Sequence, residues 1–489
     1  MTHFNTLKLW TTAAACCAAC CARAQWNSDS TEYDSFEKFR LGGYGEMVAA
    51  FKDYGINRFN GTSDGNSRMN RATISIPRFV IAGDYKFTER WTLGVEIEFE
   101  AGGVGTEYEI ENTENGEYET EAEMGGEVAL EQFHITYRLN PYFNVRAGHV
   151  IVPVGLTNTH HEPVNFFGTV RPEGESTIVP STWHETGLEI FGQFGRRWAS
   201  FDYQLQLVEG LNANGFDRNT WVGSGKQGLF EADNFTSPAY VARLNYKGVP
   251  GLRLGGSAYY CANTAANADK PKTYSFEAPL LLWSADLQYS NRWVTLRANA
   301  LSGHLGNSTR LSAANVRQSN KSPYTRTSPI AESAVSYGGE IGLNIKGFVS
   351  NPKMPGLTPF VRYEYYNAQE KVSTDSYYST PADPRLKTSM WTFGVNYKPL
   401  PYLVIKADYT MRKIGDGQYT DENEFALGVA FVGWYSGTAN KKKRQTETPD
   451  GTYSETRSEG TATGKAARVE ELSKRLEAIQ KELEQLKQE

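Results

Sequence analysis

Long apolar runs, cysteines and an excess of basic residues are scarce in this sequence, and each absence excludes a class of protein. After about the first two dozen residues no stretch is long and apolar enough for a membrane-spanning helix, which excludes a helical membrane protein. Of the 5 cysteines only Cys261 lies beyond residue 21, so that part of the chain cannot form an intramolecular disulfide. With 50 Lys and Arg against 56 Asp and Glu, the net charge of -6 does not indicate a nucleic-acid partner.

Sequence motifs of catalysis and of metal binding are missing as well. There is no Walker loop, GxSxG, HExxH or CxxC pair. His160, His161 and Glu162 are adjacent and His184 follows, but neighbouring side chains point in different directions and no second pair has metal spacing. We therefore expect no enzyme activity, no cofactor and no metal site.

The N-terminus has the features of an export signal. Lys8 precedes an apolar run of small residues that ends on an Ala-x-Ala pattern at residues 22–24. The pattern predicts a signal peptide over residues 1–24, cut between Ala24 and Gln25, and a short periplasmic segment over 25–38. A buried helix is one alternative. Lipid attachment to a cysteine of this region is another, with two candidates, Cys16 and Cys20.

Period-two alternation of apolar and polar residues dominates the chain from residue 39 to residue 435. In the segment Trp91–Glu100, apolar side chains alternate with small or charged ones. Sixteen such segments can be counted, most of them near the length of a tilted membrane strand. Aromatics make up 13% of the sequence, with 28 Tyr and 24 Phe, as expected for strands. The pattern predicts an all-β fold, a sixteen-stranded antiparallel transmembrane β-barrel.

The lengths of the connections favour a membrane barrel over a soluble sandwich. Most even-numbered strands are followed by tight links such as Asn140-Pro141, whereas odd-numbered strands are followed by longer ones. Outer-membrane barrels have short periplasmic turns at one rim and long external loops at the other. Aromatic residues, Trp91 and Trp198 among them, cluster at the short-turn rim, where their rings suit the lipid headgroups.

Alternation assigns many charged side chains to the inside of the barrel, as a water-filled lumen requires. Acidic residues such as Glu96, Glu98 and Glu100 share these inward faces, so the luminal charge is mixed. The basic residues predicted to line the pore are Arg40, Arg78, Arg138, Arg146, Arg243, Arg253, Arg297, Arg362, Lys406 and Arg412.

The segment Pro153–Trp183, called here the third loop, is the external connection of greatest interest. Its four prolines restrict the backbone and suit a loop of fixed shape. We expect it to fold inward and narrow the pore. The residues predicted to form the constriction are His160, His161, Glu162, Arg171, Glu173 and Glu175.

The pattern changes after the last strand. Residues 436–464 are polar and predict a disordered linker. Residues 465–489 then predict a short coiled-coil helix that assembles several chains, with a lone amphipathic helix as the alternative. The apolar positions at heptad spacing are Val469, Leu472, Leu476, Ile479, Leu483 and Leu486.

Four segments give the chain a resemblance to the phosphate-selective porins, the O/P-type porins of Bacteroidetes-like bacteria. These segments are Leu41–Glu46, Met69–Arg78, Val145–His149 and Asn165–Gly187. The resemblance implies a sixteen-stranded barrel, a homotrimer and diffusion of small anions through a basic constriction. In that family a coiled-coil segment often precedes the barrel, whereas here it follows.

Passive transport is therefore the expected function. We expect an outer-membrane porin with periplasmic termini that contacts lipid and lipopolysaccharide and passes small hydrophilic solutes, anions such as phosphate among them. The alternative is an anchor or adhesin, in which the barrel holds loops that bind an external partner.

Overall fold

A computed structural model describes residues 36–439 except 56–69, 113–117, 228–231, 269–270, 319–328, 350, 352, 374–380, 418 and 420, together with 445–447 and 453–455. Sixteen strands close into one barrel in which each strand pairs with its neighbours in sequence and β1 pairs with β16. All the pairings are antiparallel, which confirms the predicted fold class. The strands are β1 (Phe36–Asp53), β2 (Arg71–Lys86), β3 (Trp91–Asn112), β4 (Tyr118–Asn140), β5 (Phe143–Ile151), β6 (His184–Arg196), β7 (Ala199–Val208), β8 (Ala239–Tyr246), β9 (Leu252–Cys261), β10 (Leu280–Ser290), β11 (Val294–Leu305), β12 (Ser333–Leu343), β13 (Gly356–Lys371), β14 (Lys387–Leu400), β15 (Leu403–Ile414) and β16 (Glu422–Ala439).

Short and long connections lie at opposite ends of the barrel. The links after β4, β6 and β14 are tight turns, and the link after β12 is the longest at that end, with a 3-10 helix at Ile345–Phe348. The long-loop end carries the third loop, with helix α1 (Glu173–Ile178), and the loop before β12, with helix α2 (Ser308–Gln318). No helix in the described part of the chain is long and apolar enough to cross a bilayer.

The strands present an apolar outer surface and a polar inner one. On β15, Ile405, Tyr409 and Met411 are exposed on the outside, whereas Lys406 and Arg412 are buried inside. A soluble protein would bury such large apolar side chains, and a surface of this kind suits contact with lipid. The exposed aromatic residues at the short-connection end form a ring near the strand ends: Phe87, Trp91, Tyr142, Phe194, Trp198, Trp293, Tyr397, Tyr402 and Trp434.

The hairpin of β3 and β4 extends beyond the alternating segment Trp91–Glu100. The pairing continues through 102–126, with Thr106 opposite Met124 and Asn112 opposite Tyr118. Several Glu residues obscure the strand pattern in this part of the sequence, although Tyr108 and Ile110 still alternate with Glu.

Some predicted segments lie mostly or entirely outside the described residues. These are the signal peptide with Ala24 and Gln25, the coiled-coil helix, and most of the 436–464 linker. Within that linker, β17 (Gln445–Glu447) and β18 (Tyr453–Glu455) pair as a two-stranded sheet.

The long-loop half of the barrel holds an apolar core beside β5 and β7–β12. Inward-facing side chains there pack against the external loops and are almost fully buried. The charged side chains that the sequence assigns to the lumen therefore do not fill this half, because apolar residues at the strand ends face apolar loop residues here. Members of this core are Val150, Val152, Ile178, Trp183, Val208, Leu211, Phe216, Trp221, Val241, Tyr259, Leu280, Leu282, Leu301, Leu305 and Leu311.

Two glycines with the same backbone angle allow a test of the tight turns. Gly195, at the end of β6, and Gly102, in the long hairpin, both have a φ of +87°. A Cβ at Gly195 would overlap the Ala199 carbonyl, whereas a Cβ at Gly102 would have no atom within 4 Å. Both alanine variants carry the ~1–2 kcal/mol cost of the left-handed region.

We expect Gly195→Ala to lower the folded yield substantially and Gly102→Ala to leave it nearly unchanged. The measurement is the fraction of refolded protein that keeps the mobility of an intact barrel on unheated gels. Equal losses in the two variants would contradict the assignment of a close approach at Gly195.

Candidate functional site

The third loop lies inside the barrel, where it contacts strands on opposite walls. On one side Arg78 of β2 donates from Nη2 to the His161 carbonyl over 2.8 Å. On the other side Arg253 of β9 donates to the His160 ring over 2.6 Å. Since β2 and β9 lie seven strands apart in a ring of sixteen, the loop crosses the lumen between them. Further along the loop, the Thr169 amide donates to Oδ2 of Asp408 on β15 over 2.5 Å.

Lys406 on β15 holds the middle of the loop. Its ammonium is buried and donates to the carbonyl oxygens of Pro163, Phe166 and Gly168, the last two over 2.9 and 2.7 Å. The Phe166 ring lies over the same ammonium, 4.2 Å from it. A buried ammonium needs compensation of this kind, and all three of its donors are used.

Wall carboxylates accept hydrogen bonds from the loop backbone. Glu340 accepts from the Phe167 amide and Glu364 accepts from the Gly174 amide, each over 3.3 Å. With Asp408, these acids satisfy amides that a loop removed from water would otherwise leave without partners.

Glu175 of α1 organises the start of the loop from within it. Its carboxylate accepts from the amides of Leu156 and Asn158 over 3.0 and 2.9 Å, and from the side chain of Asn299 on β11 over 2.9 Å. Burial raises the pKa of Glu175, and the hydrogen bonds from the loop amides oppose that rise. This predicted constriction residue therefore contacts backbone amides and a wall side chain.

The adjacent histidines of the loop carry different charges. Burial and the neighbouring Arg253 guanidinium hold the pKa of His160 well below its usual value, so its ring is neutral and Nε2 accepts from Arg253 over 2.6 Å. Burial would also lower the pKa of His161, but Glu131 more than offsets this and raises it to about 9. The His161 ring is therefore a cation. Its Nε2 lies 3.0 Å from Glu131, and its Nδ1 donates to the Asn158 carbonyl.

The other predicted constriction residues also have partners. Glu162 accepts from the side chain of Asn165 over 2.6 Å. Glu173 pairs with Arg412 over 2.8 Å and accepts from the Tyr366 hydroxyl over the same distance.

Most of the basic residues predicted to line the pore form ion pairs with the wall or the loop. Burial of these charges would be costly without such pairing. Arg138 lies over the Phe191 ring, and Lys406 and Arg253 contact the loop. The ion pairs are Arg40 with Asp84, Arg78 with Glu46 and Glu98, Arg146 with Glu189, Arg243 with Asp286, Arg297 with Glu340, Arg362 with Glu340 and Glu364, and Arg412 with Glu173 and Glu424.

Arg171 and Arg253 differ from the other arginines of this region. Within the described residues neither has a carboxylate oxygen within ion-pair distance; Arg171 donates to Ser181 Oγ over 2.5 Å, and Arg253 donates to neutral His160. Burial, together with the nearby Arg78 charge, lowers the pKa of Arg171. Two cationic groups in the loop region therefore have only uncharged hydrogen-bond partners.

Space remains between the loop and the wall. A cleft lies against β10–β13 and is bordered by loop residues such as His160 and Phe166 and by Arg297, Glu340 and Arg362 of the wall. Charged and aromatic groups thus face one another across it.

Glu131 and Glu189 are among the acidic residues of the site that the sequence analysis did not identify. Glu131 lies at a β-bulge, where Gln132 pairs with Glu96 and Leu130 with Ile97, so it breaks the alternation. Glu189, the partner of Arg146, keeps the alternation of β6, and that signal could have found it.

Comparisons with known proteins give relatives at low identity. No family model matches the chain. An uncharacterized protein of Aquifex aeolicus is 26% identical over 401 residues, which cover 81% of this chain and 79% of that protein.

Solved structures that resemble the barrel are outer-membrane proteins. The channel DcaP of Acinetobacter baumannii has a TM-score of 0.47 at 11% identity, covering 81% of this chain and 97% of that one. The anion-selective porin of Comamonas acidovorans has a TM-score of 0.47 at 9% identity, covering 81% and 99%. OmpF of Salmonella typhi, solved with daunomycin, has a TM-score of 0.48 at 12% identity, covering 82% and 98%.

Replacing Lys406 tests how the loop is held. In Lys406→Met the three buried carbonyls lose their donor, at roughly 1–3 kcal/mol for each that stays buried. We expect the loop to leave the wall and proteinase K to cut within 153–183, giving two fragments. Lys413→Met, on the outer face of the same strand, is the control and should resist cleavage like the unchanged protein. Full resistance of Lys406→Met would show that this ammonium does not hold the loop.

Proposed function

We propose that this protein is an outer-membrane porin through which small hydrophilic solutes diffuse. The observation that carries the proposal is a closed barrel with an apolar exterior and a charged interior crossed by its third loop. A spanning barrel satisfies every backbone group without water, and charged residues inside it keep a pathway wet. No chemical step is required of any residue.

The loop would set the size of the pathway. Its backbone and side chains are bound to wall residues on both sides, so it would stay in the lumen while solutes pass. The cleft beside β10–β13 is the part of the lumen that a solute could use.

Small anions, phosphate among them, are the solutes we propose. The other pore-region cations are mostly compensated by carboxylates, whereas Arg171 and Arg253 have uncharged partners and keep an electrostatic attraction for anions. A guanidinium also matches the geometry of phosphate oxygens. Phosphate selectivity of the O/P type would follow if these two arginines face the passing solute.

Export, orientation and assembly complete the proposal. Residues 1–24 would direct export, and the even strand number places both ends of the barrel at the short-connection side, which would be periplasmic. The helix at 465–489 would then assemble a trimer from that side, while the outer surface contacts lipid and lipopolysaccharide.

An anchor or adhesin is the second candidate, and one observation favours it. The apolar core under the external loops fills part of the long-loop half of the barrel, as a rigid binding platform would. A barrel of this kind would conduct little or no current.

Ion selectivity tests the two arginines. We expect the unchanged protein in a planar bilayer under a KCl gradient to be anion-selective and to be blocked by phosphate. The double variant Arg171→Gln, Arg253→Gln should shift the reversal potential toward the value of a cation-selective channel. Each charge contributes ~1 kcal/mol at about 4 Å, or roughly five-fold in the anion-to-cation permeability ratio. Arg196→Gln removes an exposed charge at the other end of the barrel and should change little.

Three outcomes would count against parts of the proposal. Cation-selective or unselective current would be consistent with a porin but would contradict the proposal that its solutes are anions. An unchanged reversal potential in the double variant would reject the two arginines. Absence of conductance in folded protein would favour the anchor or adhesin.

Deletion of residues 465–489 tests the assembly proposal. If this helix joins the chains, the truncated barrel should become monomeric while its conductance per barrel is retained, because the sixteen strands end before it. Native mass spectrometry of both forms in the same detergent measures the change. An unchanged oligomer would show that the barrel surface, and not the helix, makes the assembly.

A further inference from the structure

One group of buried and half-buried side chains is not explained by passive diffusion. Glu96 and Glu98 of β3, Glu131 at the bulge of β4, His161 of the third loop and His184 at the start of β6 meet at one point of the inner wall. They form two sets of three that share Glu131, and within each set the candidate ligand atoms lie within 4.8 Å of one another.

His161 and Glu131 already lie together as two ligands of one ion would. His161 Nε2 is 3.0 Å from Glu131 Oε1, within ion-pair distance, but has no partner of hydrogen-bond geometry among the described residues. Two atoms bound at about 2.1 Å and at the tetrahedral angle around zinc are separated by about 3.4 Å, so a small shift would admit the ion. Oε1 of Glu98, also buried, has no hydrogen-bond partner within the part of the chain that the structure describes.

Each histidine is oriented by a second group, as metal-binding imidazoles usually are. His161 uses Nδ1 for the Asn158 carbonyl over 3.0 Å, which leaves Nε2 facing the carboxylates. His184 uses Nδ1 for His149 Nε2 over 2.7 Å, and His149 in turn contacts Thr186 Oγ1 over 2.9 Å.

Two of the carboxylates are oriented in the same manner. The Tyr44 hydroxyl donates to Glu131 over 3.1 Å, and the side-chain amide of Gln132 donates to Glu96 over 2.7 Å. Neither donor carries charge, so these contacts fix direction without neutralising the acids. In known metal sites, hydrogen bonds of this kind to the ligand side chains strongly affect the affinity for the metal.

The charge of the cluster also calls for a cation. Among the described residues, Arg78 and His161 are the cations that reach Glu46, Glu98 and Glu131 within ion-pair distance, and Glu96 has none. Arg171 lies near but donates to hydroxyl groups. Buried carboxylates in excess of their cations must be neutralised by protons or by a cation, and a divalent ion would supply the positive charge.

We propose that this cluster binds a divalent transition-metal ion of the zinc type, with Glu131 as the central ligand. Imidazole nitrogen together with carboxylate oxygen suits zinc and its neighbours, whereas calcium and magnesium prefer oxygen alone. Binding displaces any proton from His161. The sequence analysis noted His161 and His184 but not their carboxylate partners, because the ligands come from four separate segments and one lies at a bulge.

The ion would join the third loop to the wall. His161 lies early in the loop and His184 follows its end, so an ion shared with Glu131 would link both parts of the loop to β3 and β4. This role is independent of what passes through the barrel, so the proposal can fail while the porin proposal stands.

The test uses the purified full chain, stripped with chelator and titrated with Zn²⁺ by calorimetry and with Co²⁺ by visible spectroscopy. We expect saturable Zn²⁺ binding, and Co²⁺ bands that report nitrogen ligation. Glu131→Gln keeps the size of the side chain and should weaken binding by at least about 100-fold. Glu189→Gln, an equally buried acid of the wall, is the control and should bind like the unchanged protein.

A second variant separates metal binding from loop attachment. His184→Gln removes a ligand without touching the His161–Glu131 pair, and it should weaken Zn²⁺ binding and alter the Co²⁺ bands while the barrel stays folded on unheated gels. Absence of saturable binding in folded, stripped protein would overturn the proposal, as would equal binding by Glu131→Gln and Glu189→Gln. In either case the cluster would be an ion pair that holds the loop.

Discussion

Burial of charge inside a closed barrel is the constraint on which the rest of the structure depends. A buried charge without a partner costs several kcal/mol, so each charged group of the inner wall must find a partner inside the barrel. The third loop supplies many of these partners through its carbonyls and amides, as at Lys406 and Asp408. The side chains of the wall in turn form hydrogen bonds with loop backbone groups that would bond to water if the loop were exposed. The third loop and the charged residues of the wall therefore stabilise each other.

This coupling changes how the luminal arginines are understood. A ring of arginines in a sequence suggests an electrostatic filter, but a guanidinium paired at close range with a carboxylate has little net field beyond the pair. Arg243 lies fully buried with Asp286 at 2.7 Å, and it also donates to the Gly155 carbonyl of the loop. If the barrel is an anion porin, its selectivity depends on the few cations whose partners carry no charge.

The sequence predicted the barrel well and the site only in part. Period-two alternation is a local signal, and together with connection length it was sufficient for sixteen strands and for the inward direction of residues such as Lys406. Which group each residue contacts depends on positions far apart in sequence, as for Arg362 and the Val170 carbonyl. Glu131 was missed because a bulge shifts the period by one residue, and the apolar core was missed because Leu280 and Leu282 resemble lipid-facing residues.

Hydrogen exchange of the unchanged protein in detergent or lipid tests the central claim, that wall charges hold the third loop inside the barrel. The informative amides are those of Leu156, Asn158, Thr169 and Gly174, which donate to buried carboxylates. The account predicts that peptides containing them exchange as slowly as peptides from the strands. Exchange of these peptides within seconds, while the strands stay protected, would contradict it.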